Sequence, residues 1–410
     1  MTSFIEQNSN SLIIEMLEDA NWLGGSIYID NLLAALSALP AEACPGVRLR
    51  FLSSPTSPLA KRLSGYAVVS QALLPNTVGK LIAFARRIHC GLVRRWSWIG
   101  SLSSAPHNEL YFPAFDVAQK WRKNLYWIPD LQPHHLPEMF EPTELLSRTN
   151  SFKQIANQNG IVLLSSNAAL ADFKRFYPDA TVESRVWSFC SSIEPGSVEA
   201  CHEVVSRYAL PEKFLYIANQ FWRHKDHATA FEALRILRDK GLEVPLVCTG
   251  LQNDRRAPAY FEALKSELQQ LDLLRQVHFL DLVPREDQIH IFRAATAVVQ
   301  PSRFEGWSTV IEDAKALGRP IIASDIAVHQ EQLGGLDGAF LFKTSSAADL
   351  ADHIARLWPD LQKGPNPDLE LMAKRRRDEK RLESARQFVA IVDEAIAYPS
   401  SAGIKNRKSQ

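Results

Sequence analysis

The chain has 410 residues, enough for two or three domains, and its 46 basic and 46 acidic side chains cancel to a formal net charge of zero, which gives no general drive toward nucleic acid. Apolar and charged fractions of 46% and 22% are those of a globular protein and exclude a disordered or collagen-like chain. Five scattered cysteines with no C-x-x-C pair indicate neither a zinc site nor a disulfide framework, and a reducing cytoplasm fits that usage. No basic segment followed by an apolar stretch opens the chain and no apolar run reaches spanning length, so neither a signal peptide nor a transmembrane helix is expected.

In chain order, residues 12–17 read as a first strand, 21–25 as a turn, and 27–39 as an amphipathic helix with Ile27, Leu32, Leu36 and Leu39 inward. The Gly24-Gly25 pair in that turn suits either a tight bend or the close approach of a phosphate. Residues 47–52 are a second strand. Between Glu42 and Glu109 there is no acidic residue, while Arg48, Arg50, Lys61, Arg62, Lys80, Arg86, Arg87, Arg94 and Arg95 fall in the same stretch. Residues 80–96 form a helical pattern with Leu81, Phe84, Ile88 and Leu92 on one face and Lys80, Arg87 and Arg94 on another, followed by Trp98. That is the make-up of a solvated basic face over a core; it is also that of a helix at an anionic membrane interface, or of a face receiving an anionic, lipid-linked acceptor.

Residues 123–129 are a strand leading into Asp130-Leu131-Gln132-Pro133-His134-His135. Adjacent histidines point to opposite sides of an extended chain and no third ligand is in view, so no metal is assigned. Residues 151–158 read as helix and 161–164 as strand. Ser166 or Asn167 caps a helix that Pro178 ends. A strand at 185–189 closes the first domain, and residues 192–202, with Pro195 and Gly196, read as the linker. From residue 214, strand and helix alternate at 214–218, 228–240, 245–249, 258–271, 277–280 and 285–294, the signature of a doubly wound parallel sheet. Two such halves predict an α/β protein of two Rossmann-like domains facing a cleft.

The loop 219–227 follows the first strand of the second half. Asp226 reads as a helix cap, and Arg223 and Lys225 sit near that helix start, a place that suits a diphosphate. Further on, the apolar run 294–299 is a buried strand, followed by Gln300-Pro301-Ser302-Arg303-Phe304-Glu305-Gly306-Trp307-Ser308-Thr309-Val310-Ile311-Glu312-Asp313. Val310, Ile311, Ala314 and Leu317 then recur at helical spacing until Gly318 and Pro320 stop the helix. This is a strand-to-helix loop at the carboxyl end of a parallel sheet, where ligands bind. Thr309-x-x-Glu312 also reads as a capping box, and Glu305 as a solvated loop acid.

The Phe304-Glu305-Gly306 stretch resembles the Phe-Glu-Gly loop of retaining, nucleotide-sugar-dependent glycosyltransferases of family four, which have the GT-B fold. That family has a second Glu after seven intervening residues; here the spacing lands on Asp313, with Glu312 one residue before it. The Gly24-Gly25 pair, the Trp127-Ile128-Pro129-Asp130-x-Gln132 stretch, the segment from Ser165 to Pro178, and Lys225 resemble the same family. The resemblance implies that Glu305 lies beside the donor sugar and diphosphate, and that Asp313 or Glu312 holds the ribose. It implies that Lys225, Arg223 and the backbone of Gly306, Trp307, Ser308 and Thr309 meet the diphosphate. Gly24 and Gly25 would lie near diphosphate and acceptor, and Asp130, Gln132 and His134 would contact acceptor or donor sugar. The family's phosphate-binding Arg, five residues before its Lys, falls on Gln220 here, a departure that Arg223 would offset from within the loop.

The implied activity is transfer of a sugar from a nucleotide diphosphate sugar to an acceptor hydroxyl with retention, in polysaccharide or glycoconjugate synthesis. Retention needs a carboxylate nucleophile or a same-face attack steered by the leaving group; the family is thought to use the latter, so Glu305 is not assigned as a nucleophile. With no Asp-x-Asp motif, neither metal nor cofactor is expected. The expected organisation is an acceptor-binding domain over 1–200, a donor-binding domain over 201–375, a helix over 376–397 returning to the first domain, and a disordered tail over 398–410. Expected partners are the donor and a sugar, lipid-linked or other acceptor, with membrane contact through 80–98 at the inner face of the membrane and no nucleic acid. The alternatives are a catalytically decayed GT-B scaffold, or a GT-B epimerase or phosphorylase.

Overall fold

The computed structural model describes residues 11–16, 23–51, 58–73, 109–117 and 122–399. The turn residues Asn21 and Trp22, the basic helical pattern at 80–96 with Trp98, and the tail beyond 399 lie outside them.

The strands are short apolar runs, such as Ile161–Leu164, with all four residues buried, and such runs need cover on both faces. They assemble into two sheets. The first contains β1 (Ser11–Met16), β2 (Gly46–Phe51), β3 (Val69–Leu73), β4 (Glu109–Ala114), β5 (Lys123–Ile128), β6 (Ile161–Leu164) and β7 (Glu183–Val186), in the order β3-β2-β1-β4-β5-β6-β7. The second contains β8 (Leu215–Ile217), β9 (Leu246–Cys248), β10 (Val277–Phe279), β11 (Ala297–Gln300), β12 (Ile321–Ser324) and β13 (Ala339–Phe342), in the order β10-β9-β8-β11-β12-β13. Every pairing is parallel. The expected pair of Rossmann-like sheets is therefore present. In each, the strand order reverses beside the first strand, between β1 and β4 and between β8 and β11. Chains leave for opposite faces there and open a crevice at the carboxyl edge.

The described chain divides into two compact units. One comprises residues up to 131, 146–189 and those from 380; the other comprises 132–145 and 190–379. In the first unit the core is aromatic. Tyr28 stacks on Trp127 with ring centres 4.1 Å apart and meets Trp187 edge-on at 4.9 Å. Phe388, from the long helix Pro367–Ala397, packs on Phe112 and Trp187. In the second unit the period-two alternation of the strands feeds two apolar layers. Leu215, Ile217 and Val299 pack with Phe231, Leu234 and Ile354 on one face; Tyr216, Val298 and Ile321 pack with Phe292, Ile311 and Ala314 on the other.

Several boundaries differ from the sequence reading: the helix expected over 376–397 begins at Pro367, and the strand expected at 185–189 is Glu183–Val186. The first helix starts at Leu23, so Gly24 and Gly25 are in its first turn and not in a turn before it. The helix expected at 151–158 runs Pro142–Ala156; only Phe152, Ile155 and Ala156 are buried, so its exposed first turns carry no apolar period to read. Most of the segment read as a linker after Gly196 is the helix Val198–Arg207, capped by the Ser197 hydroxyl and anchored by buried Cys201 and Val204.

Candidate active site

β8 and β11 flank the reversal point of the second sheet, and the residues just beyond them bond to one another. Asn219, 3% exposed, donates from Nδ2 to Gln300 Oε1 at 2.8 Å. Gln300 closes β11 and donates from Nε2 to Ser302 Oγ at 3.1 Å and to Glu305 Oε1 at 2.9 Å. Lys225 Nζ reaches the same Glu305 oxygen at 2.7 Å. The loop after β8 lies this low because of Gly250, after β9. It has φ +138°, and a Cβ there would stand 2.2 Å from the Asn219 carbonyl oxygen.

Burial pushes the Glu305 carboxyl up, but the charge and hydrogen bond of the Lys225 ammonium outweigh it and hold the acid below its ordinary range. Burial and then Lys225 push the His224 imidazole down to about 3. His329 is pushed down to about 4 by burial, against the pull of Glu305; its Nδ1 lies 2.9 Å from the Ser324 carbonyl. Both rings are neutral near pH 7, so Lys225 is the cation that balances Glu305.

Arg223–Lys225 is a single 3-10 turn. Asp226 ends it at φ 54° and precedes the helix His227–Asp239, but it gives no side-chain cap, contrary to the sequence reading. Its carboxylate instead accepts from Thr229 Oγ1 at 2.8 Å and Ser345 Oγ at 3.0 Å. Arg223 is exposed and lines a cavity of about 60 Å³ with Glu138, Met139, Phe140, Glu141, His224, Asp254 and Arg256.

The helix Thr309–Ala316 is capped by Ser308, whose Oγ accepts from the Ile311 amide at 3.3 Å. The capping-box reading is thus off by one residue, with Thr309 already helical. The Ser308 amide is bound by Gln332 Oε1 at 3.0 Å, and Gln332 Nε2 donates to Ser308 O and to Glu312 Oε1, both at 3.1 Å. Glu312 also pairs with Lys315 at 2.7 Å, so this acid braces the loop around Gly306 and Trp307. Asp313, turned about 100° from it, accepts from Ser191 Oγ at 2.7 Å and from both terminal nitrogens of Arg285, at 2.7 and 2.8 Å. Both acids are buried and already bonded.

Gly24 is exposed, with nothing within 4 Å of a Cβ built on it, and Gly25 beside it is buried. Asp130 is half-buried in the first unit, whose first stretch ends at Leu131, whereas Gln132 and His134 lie in the second unit. Gln132–His135 is a helical turn, which corrects the extended-chain reading of the two histidines. The His135 ring lies 5.0 Å from that of Phe304, and Arg256 pairs with Glu144 at 2.8 Å while covering the Phe140 ring at 4.3 Å. Segment 132–145 is thereby fastened beside the Phe304-Glu305 loop.

Sequence reasoning gave no role to Asn219, Gln300, Arg285, Gln332 or His329. Gln300 had a signal, because a polar residue closing a fully buried strand must find partners. The others approach only through the fold. Among the described residues there is no cluster of three or more His, Cys, Asp or Glu able to hold a metal, and no helix long and apolar enough to cross a membrane.

Residues 203–368 match the family described as glycosyl transferases group 1. Among curated proteins the chain is similar to the D-inositol 3-phosphate glycosyltransferase of Corynebacterium urealyticum, 26% identical over 223 residues, 52% of each chain. It is also similar to the N,N'-diacetylbacillosaminyl-diphospho-undecaprenol alpha-1,3-N-acetylgalactosaminyltransferase of Campylobacter jejuni, 29% identical over 146 residues, 36% of this chain and 35% of that one. The chain spans about half the length of the first of these relatives, 52%. Among solved structures, Anabaena Alr3699/HepE in complex with UDP superposes with a TM-score of 0.64 over 94% of this chain and 100% of that one, at 15% identity. The fold is that of the GT-B glycosyltransferases. Within it, residues 203–368, in the second unit, are the part that matches the group 1 glycosyl transferases.

Proposed function

We propose that this chain is a retaining glycosyltransferase that moves a sugar from a nucleotide diphosphate sugar to an acceptor hydroxyl. The observation that carries the reading is the half-buried Lys225–Glu305 pair, braced by Gln300 and Asn219 at the strand reversal of the second sheet. As the glycosidic bond breaks, negative charge grows on the leaving diphosphate. Lys225 meets it as a cation, with Arg223 in the same turn, and the start of the helix Thr309–Ala316 adds N–H donors and its positive end. Gly306, Trp307 and Thr309 border that helix start.

Glu305, ionised and held in place, accepts hydroxyl groups of the donor sugar and does not attack it. The leaving diphosphate steers the acceptor to the same face, which gives retention, and Lys225 stands in for a metal. Asp313, seven intervening residues after Glu305, has the register of the ribose acid, with Glu312 beside it as the alternative. Gly24 and Gly25 in the first unit, and Asp130, Gln132 and His134, are assigned to diphosphate, acceptor or sugar contacts. The Campylobacter relative's name carries a lipid-linked diphosphate, and a lipid-linked or sugar acceptor in glycoconjugate synthesis is proposed here too, with membrane contact through 80–98.

The test is a panel of UDP-, GDP- and ADP-sugars, with and without chelator, read by thermal shift and then by the anomer of the product. A bound donor at a hundredfold excess over its Kd adds about 2.7 kcal/mol of stability. One effective base, indifference to chelator and a retained anomer support the reading; no shift with any donor overturns it. A second reading, a scaffold that binds nucleotide without turnover, is favoured by Gln220 at the phosphate-Arg position and by Asp313 already being bonded. Binding with no product under any acceptor would select it.

A further inference from the structure

The cavity of about 60 Å³ beside the 3-10 turn Arg223–Lys225 lies wholly within the second unit, between segment 132–145 and the loop after β9. It has room for on the order of four waters, which suits the hydroxyl-bearing edge of a small molecule and not a whole nucleotide. Two of the side chains that line it are buried polar groups with hydrogen-bonding capacity unused. His224 is 7% exposed, and its ring nitrogens have no hydrogen-bond partner among the described residues. Asp254 is 8% exposed; its Oδ1 accepts from the Arg256 amide at 2.9 Å, and its Oδ2 has no hydrogen-bond partner among the described residues. Buried polar groups ordinarily find partners, so two left open on one cavity mark a place for a ligand.

The kind of ligand follows from charge. Glu138, Glu141 and Asp254 outnumber Arg223 and Arg256, and Arg256 is already paired with Glu144 at 2.8 Å. The lining is therefore net negative and repels a phosphate or carboxylate. Among the described residues no three acidic or histidine side chains are placed to hold a metal ion. Burial pushes the His224 imidazole down to about 3, so near pH 7 the ring presents one N–H and one bare nitrogen. The exposed Glu138, Glu141 and Arg223 add acceptors and a donor at the rim. Such a mixed set is the complement of hydroxyl groups, which donate and accept at the same oxygen. We propose that this cavity is a sugar subsite, which takes the hydroxyl edge of a neutral sugar with Asp254 Oδ2 and the His224 ring as its buried partners. The sugar is that of the acceptor or that of the donor. Its place in a transfer rests on the reading above, whereas sugar binding rests on the cavity.

The test titrates glucose, mannose and galactose against the whole chain by ligand-observed NMR, alone and against excess inorganic phosphate. Two variants go with wild type, each with an unfolding curve. Asp254→Asn keeps the shape of the side chain and an oxygen for the Arg256 amide, and His224→Phe keeps a ring without its nitrogens. The expected result is binding of at least one hexose that phosphate does not displace. Each variant weakens it at least fivefold while UDP, GDP and ADP bind as in wild type. In turnover, KM rises at least fivefold for the acceptor or for the donor sugar with kcat nearly kept, and the one that rises names the source of the sugar. Hexose binding that survives in either folded variant, or that phosphate displaces, overturns the subsite. Nucleotide binding with no hexose binding overturns the subsite alone. Hexose binding with no nucleotide binding upholds the subsite and overturns the transferase reading.

Discussion

The two sheets reverse their strand order at the same topological place, yet the residues around the two reversal points differ in kind. In the first unit the helix after β1 lays Tyr28 on Trp127 of β5, and exposed Gly24 opens its first turn. In the second unit the loops after β8 and β11 converge on a half-buried ion pair, braced by Asn219 and Gln300. Topology fixes where a ligand can enter; side chains decide what it is. An apolar floor with an uncrowded glycine suits the backbone's close approach to a sugar or phosphate. A charged, dehydrated network suits a diphosphate, whose charge it can meet without reorganising.

The largest test of that contrast is chemical. Glu305→Gln and Lys225→Met are each expected to lower kcat on the order of a hundredfold to a thousandfold, measured by donor turnover under saturation. Lys225→Met also leaves the half-buried Glu305 carboxylate without its cation, held by Gln300, and costs about 3 kcal/mol in denaturant unfolding. The double variant with Glu305→Gln recovers most of that stability and none of the activity. Equal stability of the single and double variants would break the picture of a coupled pair.

Next in size is Gly250→Ala. Its Cβ would fall 2.2 Å from backbone at a φ of +138°, so a loss of at least about 2 kcal/mol is expected, together with lower activity as Asn219 shifts from Gln300. Unfolding curves and turnover check this together; a neutral result would mean the loop moves freely.

The pH dependence follows. His224 and His227 are pushed down to about 3 and His329 to about 4, in each case first by burial. Unfolding returns each to about 6.5. Below that pH the unfolded chain binds more protons, so stability is full above pH 6.5 and falls as pH drops toward 4. A loss of about 1–3 kcal/mol per histidine is expected over that window. Among the described residues the first unit has no histidine. A probe near Trp187 should therefore report a shallower acid response than one near Trp222, and His329→Gln should flatten the second response.

The smallest effect is expected at Gly24→Ala, where space is open and the backbone is helical. Stability should stay the same or rise by up to about 1 kcal/mol. A fall in turnover without a fall in stability would place the first unit's helix start against substrate. Unchanged turnover would leave that glycine a purely conformational one.

Much of this was legible in the chain. The alternation from residue 214 onward gave the second sheet nearly element by element; the helix Arg285–Ala294 and the strand Ile161–Leu164 have the bounds read from the sequence. Those segments have sharp apolar periods and clear stops. The helix Pro142–Ala156 was read short because its exposed half has no period. The capping residue at 308 was missed because Ser308 and Thr309 are equally good caps on paper, and Gln332 decides between them from a different helix.

Sequence alone determined the class of architecture, the place of the Phe304-Glu305 loop at a strand end, and Lys225 as a cation near a helix start. All of these are local, set by periodicity and spacing along a few turns of chain. Tertiary structure alone decided that Glu305 shares its oxygen between Lys225 and Gln300, that segment 132–145 packs beside the Phe304 loop, and that Arg285 covers Asp313. Apart from Gln300 and Glu305, five residues apart, those pairs are separated by tens of residues or more, and no local pattern specifies which polar group will satisfy another. Only the stacking of strands in the order β10-β9-β8-β11-β12-β13 brings their carboxyl ends, and hence these side chains, to one edge.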